Sequence, residues 1–470
     1  MAQNVVGVCR ENGHYLAVDG EPVFPVGATH LHGWTAISRP DHDYARDLDR
    51  LAEVIDQADS PHVKGMARIA SYFPLSGGLQ PWDRGSDGLY RLGYFNPQWD
   101  SRLEDYLELA LQRGIVVSLE VWDDWSVTRG PGGAYNPGED SGWGAHPFNP
   151  RNNSEYGDDV LPAATRRVNA PFYLTVPERA DNRPVLELQQ LYVDHLCRVA
   201  GGYPHVLWNI SNESRAPLAW SRYWAAYLQE KLPDERLVGD MPSTNRQDGR
   251  GECDPELNPR SLIVEPDYDY VDISQAVSRH AFGEDPLEQA LCAGDRIEGY
   301  RVEMDEYGHQ KPLVVSKDYT NSDPDGVAVL WAKFVGGAAT GRFHRPTHAE
   351  QAGKLADFQF EAVRRLGRMI GRTQFWRMRP NHDLIRNLPE EAGALVLEEP
   401  GRQYVIQIVG GREAEFDMLI EPGEYRLSWY DPRRDRWLKE DLAVVSESGF
   451  GNHLETPPHR GDLIGHLRRD

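Results

Sequence analysis

Short apolar segments alternate with amphipathic helical ones through most of this chain, and that alternation limits the fold more than any other feature. Segments of this kind predict parallel strands crossed by helices. The first predicted strand is Val23–Thr29, after a hairpin of Tyr15–Val18 and the turn Asp19-Gly20. The others are Gly65–Ala70, Ile115–Trp122, His205–Ile210, Leu237–Asp240, Tyr270–Ile273, Pro312–Ser316 and a stretch near Gly336–Phe343. Helical periodicity falls near 46–57, 99–113, 184–200, 218–231 and 351–371. Gly114 stands where a helix would end. Eight strands in one βα series predict a closed (β/α)₈ TIM barrel rather than an open sheet.

After residue 375 the pattern changes. Tyr404–Val409 and Tyr425–Tyr430 are strand-like and are separated by turn signals such as Glu421-Pro422-Gly423. The expected organisation is a barrel over 1–375 followed by a small C-terminal β-sandwich over 376–470, packed on the barrel in a structural role. At 470 residues the chain has room for both.

Charge removes some functions. Asp and Glu number 73 against 50 Lys and Arg, for a net charge of −23. Such a surface repels nucleic acid and anionic membranes, so neither is an expected partner. No apolar run approaches the roughly 20 residues of a membrane span. The N-terminal residues lack the pattern of a secretory leader, so the chain as given reads as cytoplasmic, or as secreted if a leader was removed. Cys9, Cys197, Cys253 and Cys292 form no CxxC pair and have no zinc-site spacing; a Cys253–Cys292 disulfide stays open. Tyr and Trp are plentiful, at 21 and 13 residues, which suits both a packed core and a surface on which sugar rings stack.

In a barrel of this kind the reacting groups sit at the C-terminal strand ends. The polar and aromatic residues there are His30, His32 and Trp34 after strand one, Arg68 in strand two, and Trp122, Asp123, Asp124 and Trp125 after strand three. Asn212-Glu213 follows strand four and Asp240 ends strand five. His280 lies beyond strand six, Lys317-Asp318 after strand seven, and His344 after strand eight.

Trp208-Asn209-Ile210-Ser211-Asn212-Glu213 resembles the strand-four Asn-Glu of clan A glycoside hydrolases. Arg68 is similar to the arginine that ends strand two in that clan. The segments His146–Asn153 and Gly336-Gly337-Ala338 resemble barrels of the apiosidase-like group, and Trp429-Tyr430-Asp431-Pro432 resembles the small β-domain, often labelled collagen-binding, that follows them. That group often has Asp where this chain has Glu213, so its substrate does not carry over. The resemblance implies a hydrolase of O-glycosidic bonds in a glycan or oligosaccharide, retaining, with no cofactor and no metal. Glu213 takes the role of general acid/base, and Asn212 that of binding the hydroxyl beside the reacting carbon.

Glycoside hydrolysis needs a second carboxyl group. The clan places a glutamate after strand seven, and here alignment puts Lys317 at that position. Asp318, the adjacent carboxylate, is the expected nucleophile, with Asp240, Asp123 and Asp124 in reserve. His30, His32, Trp34, Arg68, Trp122, Asp123, Trp125, Asn212, Asp240, His280 and Lys317 are the expected substrate-binding residues. The long segment between strands three and four is read as a loop that closes the cleft.

Two other functions compete. Lys317 at the nucleophile position favours a sugar-binding barrel without turnover. His30 and His32 share one side of a strand, as in metal-dependent amidohydrolase barrels. Those enzymes also need a strand-four lysine, further histidines on strands five and six and a strand-eight aspartate; only His280 fits.

Overall fold

The structure is a computed structural model that describes residues 4–30, 33–75, 77–128, 142–164, 170–243, 256–278, 285–318, 323–344, 352–411, 413–446 and 451–469. His32, His280 and Cys253 lie outside the described residues, as do 129–141 and 165–169 of the segment expected to close the cleft.

Eight parallel strands form the barrel: β1 (Glu21–Gly27), β2 (Val63–Ala70), β3 (Ile115–Asp123), β4 (Val206–Asn212), β5 (Leu237–Asp240), β6 (Tyr270–Asp272), β7 (Leu313–Val314) and β8 (Gly341–Arg342). Each is followed by a helix: α1 (Tyr44–Asp56), α2 (Pro97–Gln112), α3 (Arg183–Ala200), α4 (Leu218–Lys231), α5 (Pro259–Val264), α6 (Pro286–Glu306), α7 (Asp323–Val335) and α8 (Ala352–Ile370). Strands pair in sequence order from β1 to β7, and β8 pairs back onto β1 through Gly341↔Val26 and Arg342↔Gly27. A bridge between Asp318 and Phe343 joins the β7 and β8 sides. The sheet therefore closes, and closure removes the exposed edges that an open sheet would leave.

The predicted eighth strand was too long. Gly336 N–H still bonds Ala332 O at 2.8 Å, as in a helix, and Gly337 takes φ +87°. These glycines end α7, and a Cβ on Gly337 would meet Arg301 Nη1 at 2.4 Å.

Inside the barrel, Met66, Val116, Leu207, Tyr270 and Val314 pack with Leu16, Val18 and Val23 of the N-terminal hairpin, which plugs the lower end. The hairpin turn is the expected one: Asp19 and Gly20 both have positive φ. Outside the sheet a larger core lies beneath the helices. Its densest part is aromatic, where Trp122 packs against Tyr192 at 4.9 Å, Phe172 at 5.3 Å and Trp224 at 5.5 Å between ring centroids.

Beyond the barrel, six antiparallel strands run in the order Arg379–Pro380, Ala392–Glu399, Gln403–Gly410, Leu463–Arg469, Gly423–Asp431, Arg436–Ser446. A three-stranded sheet of Ile385–Arg386, Glu415–Met418 and Asn452–Glu455 covers one face as a sandwich. Period-two alternation sorts the strands: Tyr404, Ile406 and Ile408 enter the core between the two sheets, while Val405 and Val409 join the barrel core. Gln407 Nε2 donates to Ala328 O of α7 at 2.8 Å.

Cys9, Cys197 and Cys292 are free thiols, so Cys292 takes no part in the disulfide left open by the sequence. No described helix is long and apolar enough to cross a membrane.

Trp122→Ala would leave a cavity in the aromatic wedge and is expected to cost about 3–5 kcal/mol of stability. Urea unfolding followed by circular dichroism measures it.

Candidate functional site

The C-terminal strand ends carry a connected line of buried charge. It starts at Glu120, an inward-facing residue of β3. Arg68 of β2 is ion-paired to one oxygen of Glu120, and Trp34 Nε1 donates to the other at 2.5 Å. The Arg68 guanidinium also lies 4.9 Å from the Trp34 ring centroid, a cation–π contact. Burial pushes Glu120 up, and Arg68 and Lys317 pull it back. From Arg68 the line continues to Asn212 Oδ1, which accepts from Nη2 at 2.7 Å.

Asn212 is held from three sides. Its Nδ2 donates to Asp123 Oδ1 at 2.6 Å, and its Oδ1 also accepts from Lys317 Nζ at 2.6 Å. Lys317 Nζ donates in turn to Glu213 Oε1 at 2.5 Å. Gln275 Nε2 approaches the same oxygen at 3.5 Å. Burial lowers the Lys317 ammonium, while the charge of Glu213 raises it.

Glu213 sits where the backbone leaves β4, at φ 51°. Few residues other than glycine adopt such a φ, and strained positions of this kind gather at functional sites. The turn is fixed on its far side, where Ser214 N–H donates to Met241 O at 2.8 Å and Ser243 N–H to Ser214 O at 2.8 Å. Glu213 keeps 7% of its surface exposed, whereas Asp123 and Lys317 each keep 1%.

An aromatic wall adjoins this line. Trp34 meets Phe73 edge-on at 5.2 Å, and Trp125 stacks on Phe73 at 5.4 Å and 23°. Trp125 is partly exposed.

Five of the sequence-predicted residues therefore come together around Glu213 and the charged line: Trp34, Arg68, Asp123, Asn212 and Lys317. Burial, partly offset by the Asn212 hydrogen bond, pushes Asp123 up to about 7. Asp123 Oδ2 also caps the short helical turn Asp124–Thr128 through Ser126 N–H, at 3.0 Å.

Other predicted residues are placed elsewhere. Trp122 is buried in the outer aromatic wedge, because the alternation that points Glu120 inward breaks at the end of β3. Asp240 lies between β4 and β5. Its Oδ1 accepts from Ser211 N–H at 3.0 Å and Met241 N–H at 2.8 Å, and its Oδ2 accepts from Ser221 Oγ at 2.6 Å. That carboxyl is a fully buried structural clasp, not a contact for sugar. Asp124 accepts from Tyr173 Oη at 3.1 Å and Thr128 Oγ1 at 3.0 Å, and is likewise structural.

His30 turns to Asp47 of α1, with Nδ1 at 2.6 Å from the carboxylate, and His42 reaches the other oxygen at 2.9 Å. This imidazole is committed to α1 rather than to Glu213. Among the described residues, the clusters able to hold a metal do not include His30.

Asp318 does not face Glu213. Lys317 points into the site, whereas both Asp318 carboxylate oxygens are sealed from solvent and its charge acts on Lys333 of α7. Its backbone is pinned to the β8 side, where Asp318 N–H donates to Arg342 O and Asp318 O accepts from His344 N–H, each at 2.7 Å. The expected nucleophile is thus replaced at Glu213 by the ammonium of Lys317.

Three residues that the sequence did not single out matter here: Glu120, Gln275 and Asp47. Glu120 was detectable, as a carboxylate within the mostly apolar run Ile115–Trp122. Gln275 and Asp47 carried no signal, since their partners lie 62 and 17 residues away.

No protein-family model and no curated protein matches this chain. Solved structures do. A glycoside hydrolase matches over 100% of this chain and 97% of its own, at a TM-score of 0.62 and 12% identity. A family 5 glycoside hydrolase from Bacteroides vulgatus matches over 99% and 94%, at 0.61 and 12%. A second Bacteroides vulgatus protein, described as a glycoside hydrolase by assignment, matches over 100% and 83%, at 0.60 and 11%. The fold is theirs. It extends through the C-terminal strands as well as the barrel.

Burial pushes Asp240 up to about 7. A carboxyl raised on folding favours the folded state only while protonated. That contribution is present below about pH 4 and is lost as pH rises through about 7. Asp240→Asn mimics the protonated form and keeps the acceptor for both N–H groups. Its stability relative to the original chain is therefore expected to rise between pH 4 and 7, by on the order of 4 kcal/mol, and then level off. Urea midpoints across that range measure it.

Proposed function

We propose that this chain is a glycoside hydrolase acting on O-glycosidic bonds, with Glu213 as its general acid/base. The observation that supports this most is the setting of Glu213. Its carboxyl stands at the C-terminal end of β4 on a strained backbone, beside an Asn212 amide fixed by Arg68, Asp123 and Lys317. The fold shared with known glycoside hydrolases agrees with it. Trp125, partly exposed beside the line, supplies an apolar face on which a sugar ring stacks.

Lys317 gives the acid/base step a particular form. Its ammonium, weakened by burial, donates directly to Glu213. As Glu213 gives its proton to the leaving oxygen the glycosidic bond breaks, Lys317 stabilises the carboxylate that results, and the water that adds to the sugar carbon returns a proton to Glu213. Asp318 is not retained as nucleophile, because its oxygens are sealed from solvent. The 376–470 segment serves in this reading as a structural domain that braces α6 and α7.

A second reading is favoured by the same ion pair: a barrel that binds sugar without turnover, with Lys317 standing where the clan carries its nucleophile. One variant separates the two. Glu213→Gln keeps the shape and a hydrogen-bonding partner for Lys317 but cannot release a proton. Hydrolysis of responsive glycosides is expected to fall by about 10²–10⁴-fold, with binding by calorimetry retained. Unchanged hydrolysis in Glu213→Gln would remove the carboxyl from its role.

A further inference from the structure

A second group of ligating side chains lies on the flank of the barrel, where α6 meets the C-terminal sheet. Asp295 and Glu298 are three residues apart on α6 and share one face of it. His382 opens the one-turn segment His382–Leu384, which leads into Ile385–Arg386. One ligand atom from each of Asp295, Glu298 and His382 lies within 4.8 Å of the others. Glu298 meets His382 twice, with Oε1 accepting from His382 N–H at 3.3 Å and Oε2 at 3.8 Å from His382 Nε2.

His382 supplies an independent sign of a ligand. Its side chain is 9% exposed, and its Nε2 is buried with no hydrogen-bond partner. Leaving a buried polar atom unpaired costs about 1–3 kcal/mol. At 3.8 Å the Glu298 oxygen is too far to satisfy it. The other ring nitrogen, Nδ1, accepts from Val396 N–H at 3.0 Å, so the neutral ring carries its proton at Nε2. A divalent cation that displaces this proton gains the Nε2 lone pair and two carboxylate oxygens together.

We propose that Asp295, Glu298 and His382 bind a divalent transition cation of the zinc type. One imidazole nitrogen and two carboxylate oxygens suit zinc, with water in the fourth position. Calcium and magnesium prefer oxygen alone. The cation ties α6 to the C-terminal sheet and takes no part in chemistry at Glu213. The packing beside it is already close, since a Cβ on Gly294 of α6 would meet Leu395 Cδ1 at 2.6 Å. A bound ion stabilises the folded chain in proportion to its occupancy.

The test uses the whole chain, stripped with chelator and then titrated with zinc chloride. Bound metal is read by equilibrium dialysis with elemental analysis, and stability by the melting midpoint. One zinc is expected to bind at this site and raise the midpoint, while magnesium chloride leaves the midpoint unchanged. His382→Ala and Glu298→Gln are each expected to weaken zinc at least about tenfold and to abolish the rise. Glu298→Gln keeps the acceptor for His382 N–H, so it decides the matter even if His382→Ala fails to fold. His453→Ala, in the exposed Glu415–His453–Glu455 group, is expected to change neither reading. The proposal is overturned if the original chain binds no zinc, if Glu298→Gln binds it equally well with the same rise, or if His453→Ala alone removes binding.

Discussion

The buried run of charge from Glu120 through Arg68, Asn212 and Lys317 to Glu213 is the constraint on which the top of this barrel depends. It joins β2, β3, β4 and the end of β7 by side chains, at the height where the strands stop. Breaking a buried ion pair by removing one partner is far more costly than never having it, because the remaining charge is left uncompensated. Every member is therefore locked by the next, and Glu213 is held at the one point where the line reaches solvent. The same locking explains how a residue with positive φ persists there: its neighbours leave it no alternative.

Pre-organisation of this kind is what acid/base chemistry on a sugar requires, since a proton donor must be fixed near the leaving oxygen before reaction. The unusual element is Lys317. Burial weakens its ammonium, and the carboxylate of Glu213 restores it. Asp318, sealed from solvent, instead helps close the barrel between β7 and β8.

Much of this was legible in the sequence, and the failures share a cause. Strand and helix order followed from periodicity, and the place of Glu213 just after β4 followed from counting strands. Residues whose roles depend on near neighbours, such as the Asp19-Gly20 turn, were correctly read. Trp122 was not, because alternation holds within β3 and breaks at its last turn. Asp240 was not, because its partner Ser221 sits on α4 and its other contacts are backbone N–H groups. His30 was not, because nothing before folding links it to Asp47. Lys317 and Asp318 are adjacent in sequence, but Lys317 points into the site and the Asp318 oxygens are sealed from solvent, so choosing the nearest carboxylate chose the wrong residue. The Asp295–Glu298–His382 cluster spans α6 and the C-terminal sheet and has no local signature at all.

The central claim is that Glu213, held by Lys317, turns over a glycoside. The most direct measurement is release of sugar from a panel of aryl glycosides and plant oligosaccharides by the purified chain, followed by chromatography, with calorimetry on the same compounds. The account predicts that at least one compound that binds is also cleaved. Binding without release of sugar, across every compound that binds, would contradict it and leave a sugar-binding barrel.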